Sequence, residues 1–315
     1  MPKTFILGHI QPDTDSVVAA LGLEYLYKQK DCFGYSDPQA ATAGPINGET
    51  KYLFERFGVK PPTQVTAQDI KPEDQVVLVD HNEDSQRLPD LKADQIVDII
   101  DHHKVNLQLA SPIFMTFKTW GSSTTIVYWL MQQNQVQPDQ KLASLMLSAI
   151  LSDTVGFKSS TATQRDRDEA HELAQLAGLS DIEALTLDIF KAKSDVSRLS
   201  ADQLATNDYK VAEINKQRVF INQVETVEQT KLITERQEEL ISALKKARQD
   251  MKLDFVFMAV TDILRVNTKL ILPSVLEEKL ALKAFGGQVQ DHILDIGPKL
   301  SRKKEILPNL EKALR

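Results

Sequence analysis

Short, unbroken apolar runs punctuate the first third of the chain. Thr4–Leu7, Val76–Val79 and Ile96–Ile100 are such runs, rich in β-branched residues. Runs of this length without alternation predict strands buried on both faces. Between and after them the apolar positions recur at helical spacing. Val17, Ala20, Leu21 and Leu23 follow Ser16, which reads as a helix cap. Leu142, Leu145, Met146, Ala149 and Ile150 form a second stripe, and that helix delivers Ser152-Asp153-Thr154 at its end. Residues 165–180 predict a third helix, stopped by Gly178. Strands alternating with helices predict an α/β domain, a mostly parallel sheet flanked by helices.

The periodicity lapses across residues 190–200, "FKAKSDVSRLS". A domain boundary is placed there, with residues 1–190 as one domain, 191–200 as linker and hinge, and 201–315 as a smaller C-terminal α/β domain. In that second part Gln217–Val224 and Leu253–Thr261 predict strands. Thr230–Met251 predicts a long amphipathic helix and Ser274–Phe285 another.

Composition narrows the class. The chain has 315 residues, 42% hydrophobic and 26% charged, as in ordinary globular proteins. A net charge of −7 argues against a nucleic-acid partner, which calls for a basic face. The single cysteine, Cys32, cannot form an intrachain disulfide and suits a reducing compartment. No secretory signal pattern is seen, and apolar runs such as Phe255–Val260 are too short to span a bilayer. A cytoplasmic enzyme with no membrane attachment is the expectation.

Polar residues at the strand ends then change the picture. His9, Asp13 and Asp15 follow the first run, in "GHIQPDTDS". Asp80 and His81 follow the second, and Asp101, His102 and His103 the third. Four of the chain's six histidines lie in these segments. In open α/β sheets, ligands bind outside the carboxyl ends of the strands. Singly, each piece has a plainer reading: Asp-x-Asp after proline is a turn or cap, and Asp153 a helix end. Together they put Asp and His on one sheet edge, a donor set suited to Mn²⁺, Co²⁺ or Zn²⁺. Four neighbouring aspartates repel unless cations lie among them. A pair of divalent ions, about 3.5–4 Å apart, answers that and is suited to phosphoryl displacement.

The successive motifs "GHIQPDTDS", "LVDHNE", "IIDHH" and "LSDT" resemble those of the DHH phosphoesterase superfamily. With "NGET" at Asn47–Thr50 and "LSRKKE" at Leu300–Glu305, the chain resembles the manganese-dependent family II inorganic pyrophosphatases over nearly its whole length. The resemblance implies two domains with the active site between them. It implies one metal held by His9, Asp13 and Asp80, and a second held by Asp15, Asp80, His102 and Asp153, so that Asp80 bridges. His103 is the implied substrate-side histidine, a hydrogen-bond donor or general acid. Lys210, Arg302 and Lys303 are the implied phosphate-binding cations. The four aspartates balance two divalent ions, and the three cations meet the charge of pyrophosphate.

The implied reaction is hydrolysis of pyrophosphate to two orthophosphates by a metal-activated water, without a covalent intermediate. Two Mn²⁺ per subunit are expected, with Co²⁺ as a substitute and Mg²⁺ accompanying the substrate. The family further suggests a homodimer through the first domain. Two alternatives remain at this stage. One is another DHH phosphoesterase, an exopolyphosphatase or a nuclease for short oligonucleotides. The other is a non-catalytic metal-binding regulator, whose signature would be a missing ligand; all six proposed ligands are present.

Overall fold

In the computed structural model, which describes residues 2–109, 111–196 and 199–315, the chain divides into two compact units, Met1–Lys193 and Ser194–Arg315. The first unit runs β1 (Thr4–Leu7), α1 (Thr14–Gln29), β2 (Pro38–Thr42), α2 (Gly48–Phe57), β3 (Thr63–Gln64), β4 (Gln75–Val79), β5 (Ile96–Asp101) and β6 (Phe114–Phe117). Four helices follow: α3 (Ser123–Gln133), α4 (Gln140–Asp153), α5 (Gln164–Ala177) and α6 (Ile182–Lys193).

The six strands form one parallel sheet in the order β3-β2-β1-β4-β5-β6. The three apolar runs lie at its centre. Ile6, Val77, Leu78 and Ile99 are fully buried, which is why these strands read as continuous hydrophobic stretches and not as alternation. Each such side chain removed from water stabilises the fold by roughly 1.5–3 kcal/mol. One face packs Phe5, Leu7, Val76, Leu78, Ile96 and Ile99 into a single cluster.

The strand order decides where a site can form. From β1 the chain moves outward through β2 and β3, then returns to β4 on the other side of β1 and proceeds to β5 and β6. The order therefore reverses between β1 and β4, and the crevice outside their carboxyl ends is the switch point of the sheet.

Two local devices shape the rim of that crevice. Asp13, not Ser16, caps α1. Its carboxylate accepts from Ser16 N at 2.9 Å, while the Ser16 hydroxyl accepts from Asp13 N at 3.2 Å, a reciprocal capping box. Asp13 is the last extended residue and Thr14 the first helical one, so Ser16 falls three residues inside. Gly8 is needed for the close approach of strand and helix: a Cβ there would lie 2.7 Å from Ser16 Cβ.

Further along the chain, Asp166 joins two helix starts. It accepts from Gly121 N, Thr125 Oγ1, Thr163 N and Thr163 Oγ1, all between 2.6 and 3.0 Å. It thereby closes the cap of α5 and pins the loop that leads into α3.

The second unit runs α7 (Ala201–Thr206), β7 (Tyr209–Ile214), β8 (Gln217–Thr226), α8 (Gln229–Met251), β9 (Phe255–Asp262), β10 (Asn267–Ile271), α9 (Val275–Phe285), β11 (Val289–Gln290), β12 (Ile293–Gly297), a π-helical turn (Arg302–Ile306) and α10 (Leu307–Leu314). Its sheet is mixed, in the order β11-β12-β10-β9-β8-β7, with β8 and β9 parallel and the other pairs antiparallel. Along β9, Phe255, Phe257 and Ala259 enter one apolar cluster, and Val256, Met258 and Val260 the other. Both faces are covered, so the strand reads as uninterrupted apolar sequence.

Helix α6 continues through Lys193, so the first residues of the expected linker are helical. Ser197 and Arg198, within that linker, lie outside the described residues. Among the described residues no helix is long and apolar enough to cross a membrane.

Asp166 is fully buried and serves several donors at once, so its loss strands buried N–H and O–H groups. Asp166→Ala is expected to lower the stability of the protein by about 3 kcal/mol in urea unfolding. A loss below about 1 kcal/mol would show that the loop does not depend on this carboxylate.

Candidate metal centre

The residues predicted from the strand ends converge at the β1–β4 crevice. His9 and Asp13 follow β1, Asp80 follows β4, Asp101 is the last residue of β5, and His102 and His103 follow it. Asp153 is the last residue of α4. A cavity of about 400 Å³ opens there, with His9, Gln11, Asp13, Asp80, His103 and Asp153 among its lining.

Asp80 is the centre of the arrangement. It is 2% exposed and takes φ 63°, a left-handed turn that Asp tolerates better than most residues. Its N–H still donates to Ile100 O at 2.9 Å, so the turn follows directly from the β4–β5 ladder. The two carboxyl oxygens face different histidines. Oδ2 lies 3.6 Å from His9 Nε2, and Oδ1 lies 3.3 Å from His102 Nε2. His9 Nε2 is also 3.5 Å from Asp13 Oδ1, and His102 Nε2 is 3.5 Å from Asp153 Oδ2.

Three groups of side chains bring ligand atoms within 4.8 Å of one another: His9, Asp13 and Asp80; Asp15, His102 and Asp153; and Asp80, His102 and His103. The first group is one predicted ligand set. The second is the other predicted set without Asp80, which lies against His102 in the third group.

Electrostatics make this an uneasy cluster. Burial, then the charge of Asp80, pushes the Asp15 carboxyl up to about 7. Burial, then the charges of Asp15 and Asp80, pushes Asp153 up to about 9. Burial also opposes the Asp80 charge, but hydrogen bonds to His102 and His9 outweigh it and hold that carboxyl below the ordinary range. The histidines respond in the opposite sense. Burial lowers them, yet their acidic partners raise both His9 and His102 to about 10.

The surroundings fix the donors in place. His102 Nδ1 donates to Trp120 O at 2.9 Å, which leaves Nε2 facing the carboxylates. Asp15 receives Ser122 Oγ at 2.6 Å, Ser123 N at 2.7 Å and Thr124 N at 3.0 Å, at the start of α3. That helix end carries positive potential toward the carboxylate. Ser123 Oγ donates to Asp80 Oδ1 at 2.8 Å. His103 is held by Asp101, which takes its Nδ1 at 2.9 Å and its main-chain N at 3.0 Å. Asn82 Nδ2 in turn holds the other Asp101 oxygen at 2.6 Å. His103 is raised by that hydrogen bond to Asp101, against its partial burial.

Other expectations fare differently. His81 is buried with Nδ1 on Val79 O at 3.0 Å, and burial lowers it to about 4. His171 and His292 bond Arg167 O and Glu278 in exposed positions and join no ligand group among the described residues. Lys210, Arg302 and Lys303 belong to the second unit. There Arg302 pairs with Asp208 at 2.8 Å, and Lys210 lies two residues further on, at the start of β7. The sequence reading missed Ser122, Ser123, Asn82 and Asp166 as supports. "WGSSTT" before an apolar helix was a usable cap signal for the first two.

Residues 3–150 match the family model of the DHH family, N-terminal domain, and residues 187–313 match that of the DHHA2 domain. The manganese-dependent inorganic pyrophosphatase of Methanothrix thermoacetophila is 35% identical over 99% of this chain and 98% of its own. That of Methanocaldococcus jannaschii is 34% identical over 98% of each chain. Among solved structures, a Methanococcus jannaschii protein assigned to the family II inorganic pyrophosphatases aligns over 99% of both chains, at 32% identity and TM-score 0.62. An exopolyphosphatase-related protein from Bacteroides fragilis shares the fold at 18% identity and TM-score 0.51, over 99% of this chain and 91% of its own. Identity at this level along the entire length of its relatives means that the chain belongs to the family of manganese-dependent inorganic pyrophosphatases.

Proposed function

We propose that the chain hydrolyses inorganic pyrophosphate to two orthophosphates with the help of two divalent cations, Mn²⁺ foremost. The observation that carries the cation reading is the division of the Asp80 carboxylate, one oxygen toward His9 and Asp13, the other toward His102. The donor set fits such ions: carboxylates and imidazoles suit Mn²⁺ and Co²⁺, and the Asp15 and Asp153 carboxyls, raised first by burial and then by neighbouring carboxylates, are groups whose ionised form a cation would stabilise. In this reading His9, Asp13 and Asp80 hold one ion, and Asp15, Asp80, His102 and Asp153 the other. Bound, the cations supply Lewis acidity at phosphate oxygens and make a water acidic enough to act near neutral pH.

The chain's own groups do the rest. Asp15 and Asp80 are kept in register by Ser122, Ser123 and the first N–H groups of α3. His103, tethered through Nδ1 to Asp101, turns Nε2 away from that bond, where it can donate a proton or hydrogen bond to a phosphate oxygen. Lys210, Arg302 and Lys303 grip the substrate anion, the arginine in bidentate fashion and the lysines as point charges. Mg²⁺ accompanies the pyrophosphate, because it favours phosphate and water oxygens.

With Mn²⁺ and Mg²⁺ present, phosphate release from pyrophosphate should outpace release from tripolyphosphate and from a dinucleotide. Equal or faster turnover of either competitor would overturn the substrate assignment. Asp80→Asn is expected to lose both ions, as read by metal analysis after gel filtration. Unchanged Mn²⁺ content in that variant would refute the bridge.

Protonation gives an independent test. His9 and His102 are raised to about 10, so near neutral pH they carry protons in the metal-free protein. A ligating nitrogen must lose its proton, so Mn²⁺ binding should acidify an unbuffered solution. The apparent affinity should rise with pH, about tenfold per unit for each proton displaced. Affinity flat between about pH 6 and about pH 9, with no proton released, would show that neither histidine nor Asp153, raised to about 9, carries a proton to displace, and would overturn the raised pKa values.

A further inference from the structure

Arg302 opens the π-helical turn that leads into α10, and its guanidinium is engaged before any substrate arrives. Nη1 donates to the main-chain oxygen of Asp208 at 2.7 Å, and Nη2 donates to its Oδ1 at 2.8 Å. The backbone on which this grip rests is itself fixed. The Asp208 carbonyl also receives Asn222 Nδ2 at 3.0 Å and Gln223 N at 2.9 Å. Gln223 Nε2 reaches across to Leu300 O at 2.9 Å, two residues before Arg302. The segment before β7 and the segment before α10 are thus both tied to Gln223 on β8, and the former to Asn222 as well.

A guanidinium has five N–H donors in a fixed plane. Asp208 uses two of them. The remaining three, on Nε and on the outer positions of the terminal nitrogens, have no acceptor among the described residues. The arginine side chain is only 20% exposed, while the aspartate is 61% exposed. An arginine on a free stem would sample many rotamers, whereas this one has its plane set by two bonds to a single residue.

We infer that Asp208 is a positioning residue for the phosphate grip: it clamps one edge of the Arg302 guanidinium and so presents the other edge to a phosphate oxygen pair. The inference rests on the reading of Arg302 as a substrate cation. The cost is a negative charge beside the anion site. Lys210 and Lys303 offset it, and the return is a bidentate donor set already in its binding orientation. Lys210 shares the anchor, since it lies two residues from Asp208 and pairs with Ile221 on β8.

The test is steady-state kinetics on the full chain with Mn²⁺ and Mg-pyrophosphate. Asp208→Ala should raise KM roughly tenfold, the scale of one lost charge-assisted hydrogen bond, and change kcat by less than about threefold. Asp208→Asn retains an acceptor for Nη2 without the charge and should recover most of that loss. In an Arg302→Ala background the Asp208→Ala change should add nothing further, because the two residues act as one unit.

An unchanged or lowered KM in Asp208→Ala, with Arg302→Ala impaired, would overturn the inference and make Asp208 a mere competitor for the guanidinium. Additive effects of the two substitutions would likewise overturn it. If Arg302→Ala leaves KM unchanged, the inference falls together with the phosphate role of Arg302, while pyrophosphate turnover by the unaltered protein judges the reaction separately. Thermal unfolding screens each variant. Should Asp208→Ala not fold, Asp208→Glu keeps the charge but displaces the acceptor by one methylene. A raised KM there supports positioning, and an unchanged one refutes it.

Discussion

Four carboxylates meeting at one sheet edge are the constraint around which the first unit is organised. Asp13, Asp15, Asp80 and Asp153 would repel at close quarters, and burial makes the charges of Asp15, Asp80 and Asp153 costlier still. Burial first, and that repulsion second, raise the Asp15 and Asp153 carboxyls. A fold that tolerates it must supply either counterions or partners, and this one supplies partners on every side. His9 and His102 face Asp80 from opposite directions. The start of α3 gives Asp15 two backbone N–H groups and a hydroxyl. What these partners leave open is the space between the carboxylates, where the ligand atoms gather in threes.

The parallel sheet makes such a meeting possible. Because the strand order turns back between β1 and β4, the chain leaves the two strands in opposite directions, and the crevice lies between those exits. Asp80 then uses a left-handed backbone turn to point into it. The rigidity comes from the far side. Asp166 fixes the Gly121 loop, that loop fixes Ser122 and Ser123, and these fix Asp15 and Asp80. A substitution at Asp166 would therefore reach the centre through a chain of hydrogen bonds, each short and directional.

Much of this was legible in the chain. The apolar runs announced the central strands because both their faces are buried, and the Asp and His residues followed those runs directly. Less legible was what hydroxyl residues do. Ser16 looked like a cap and is the reciprocal partner of one, because Asp13 outcompetes it as the last extended residue. Ser122 and Ser123 were given no role from the sequence, yet they hold carboxylates more than forty positions away. A serine's side chain is short enough to serve its own backbone or a distant partner, and only tertiary structure decides between them. Asp101 was visible in its motif, but not its grip on His103, since nothing in "IIDHH" says which neighbour an aspartate will face.

The two units solve opposite electrostatic problems with the same device. In the first, buried carboxylates are kept in place by backbone and hydroxyl donors at the start of α3. In the second, Arg302 must be kept from wandering, and an acceptor with a fixed backbone does that work. In both cases a charged group is first satisfied by a neighbour at some cost in net attraction. The gain is orientation, which is harder to recover at the moment of binding than charge is. An aspartate beside an arginine proposed to grip phosphate looks wasteful when charges alone are counted. It becomes reasonable once the planar, directional character of the guanidinium is taken into account.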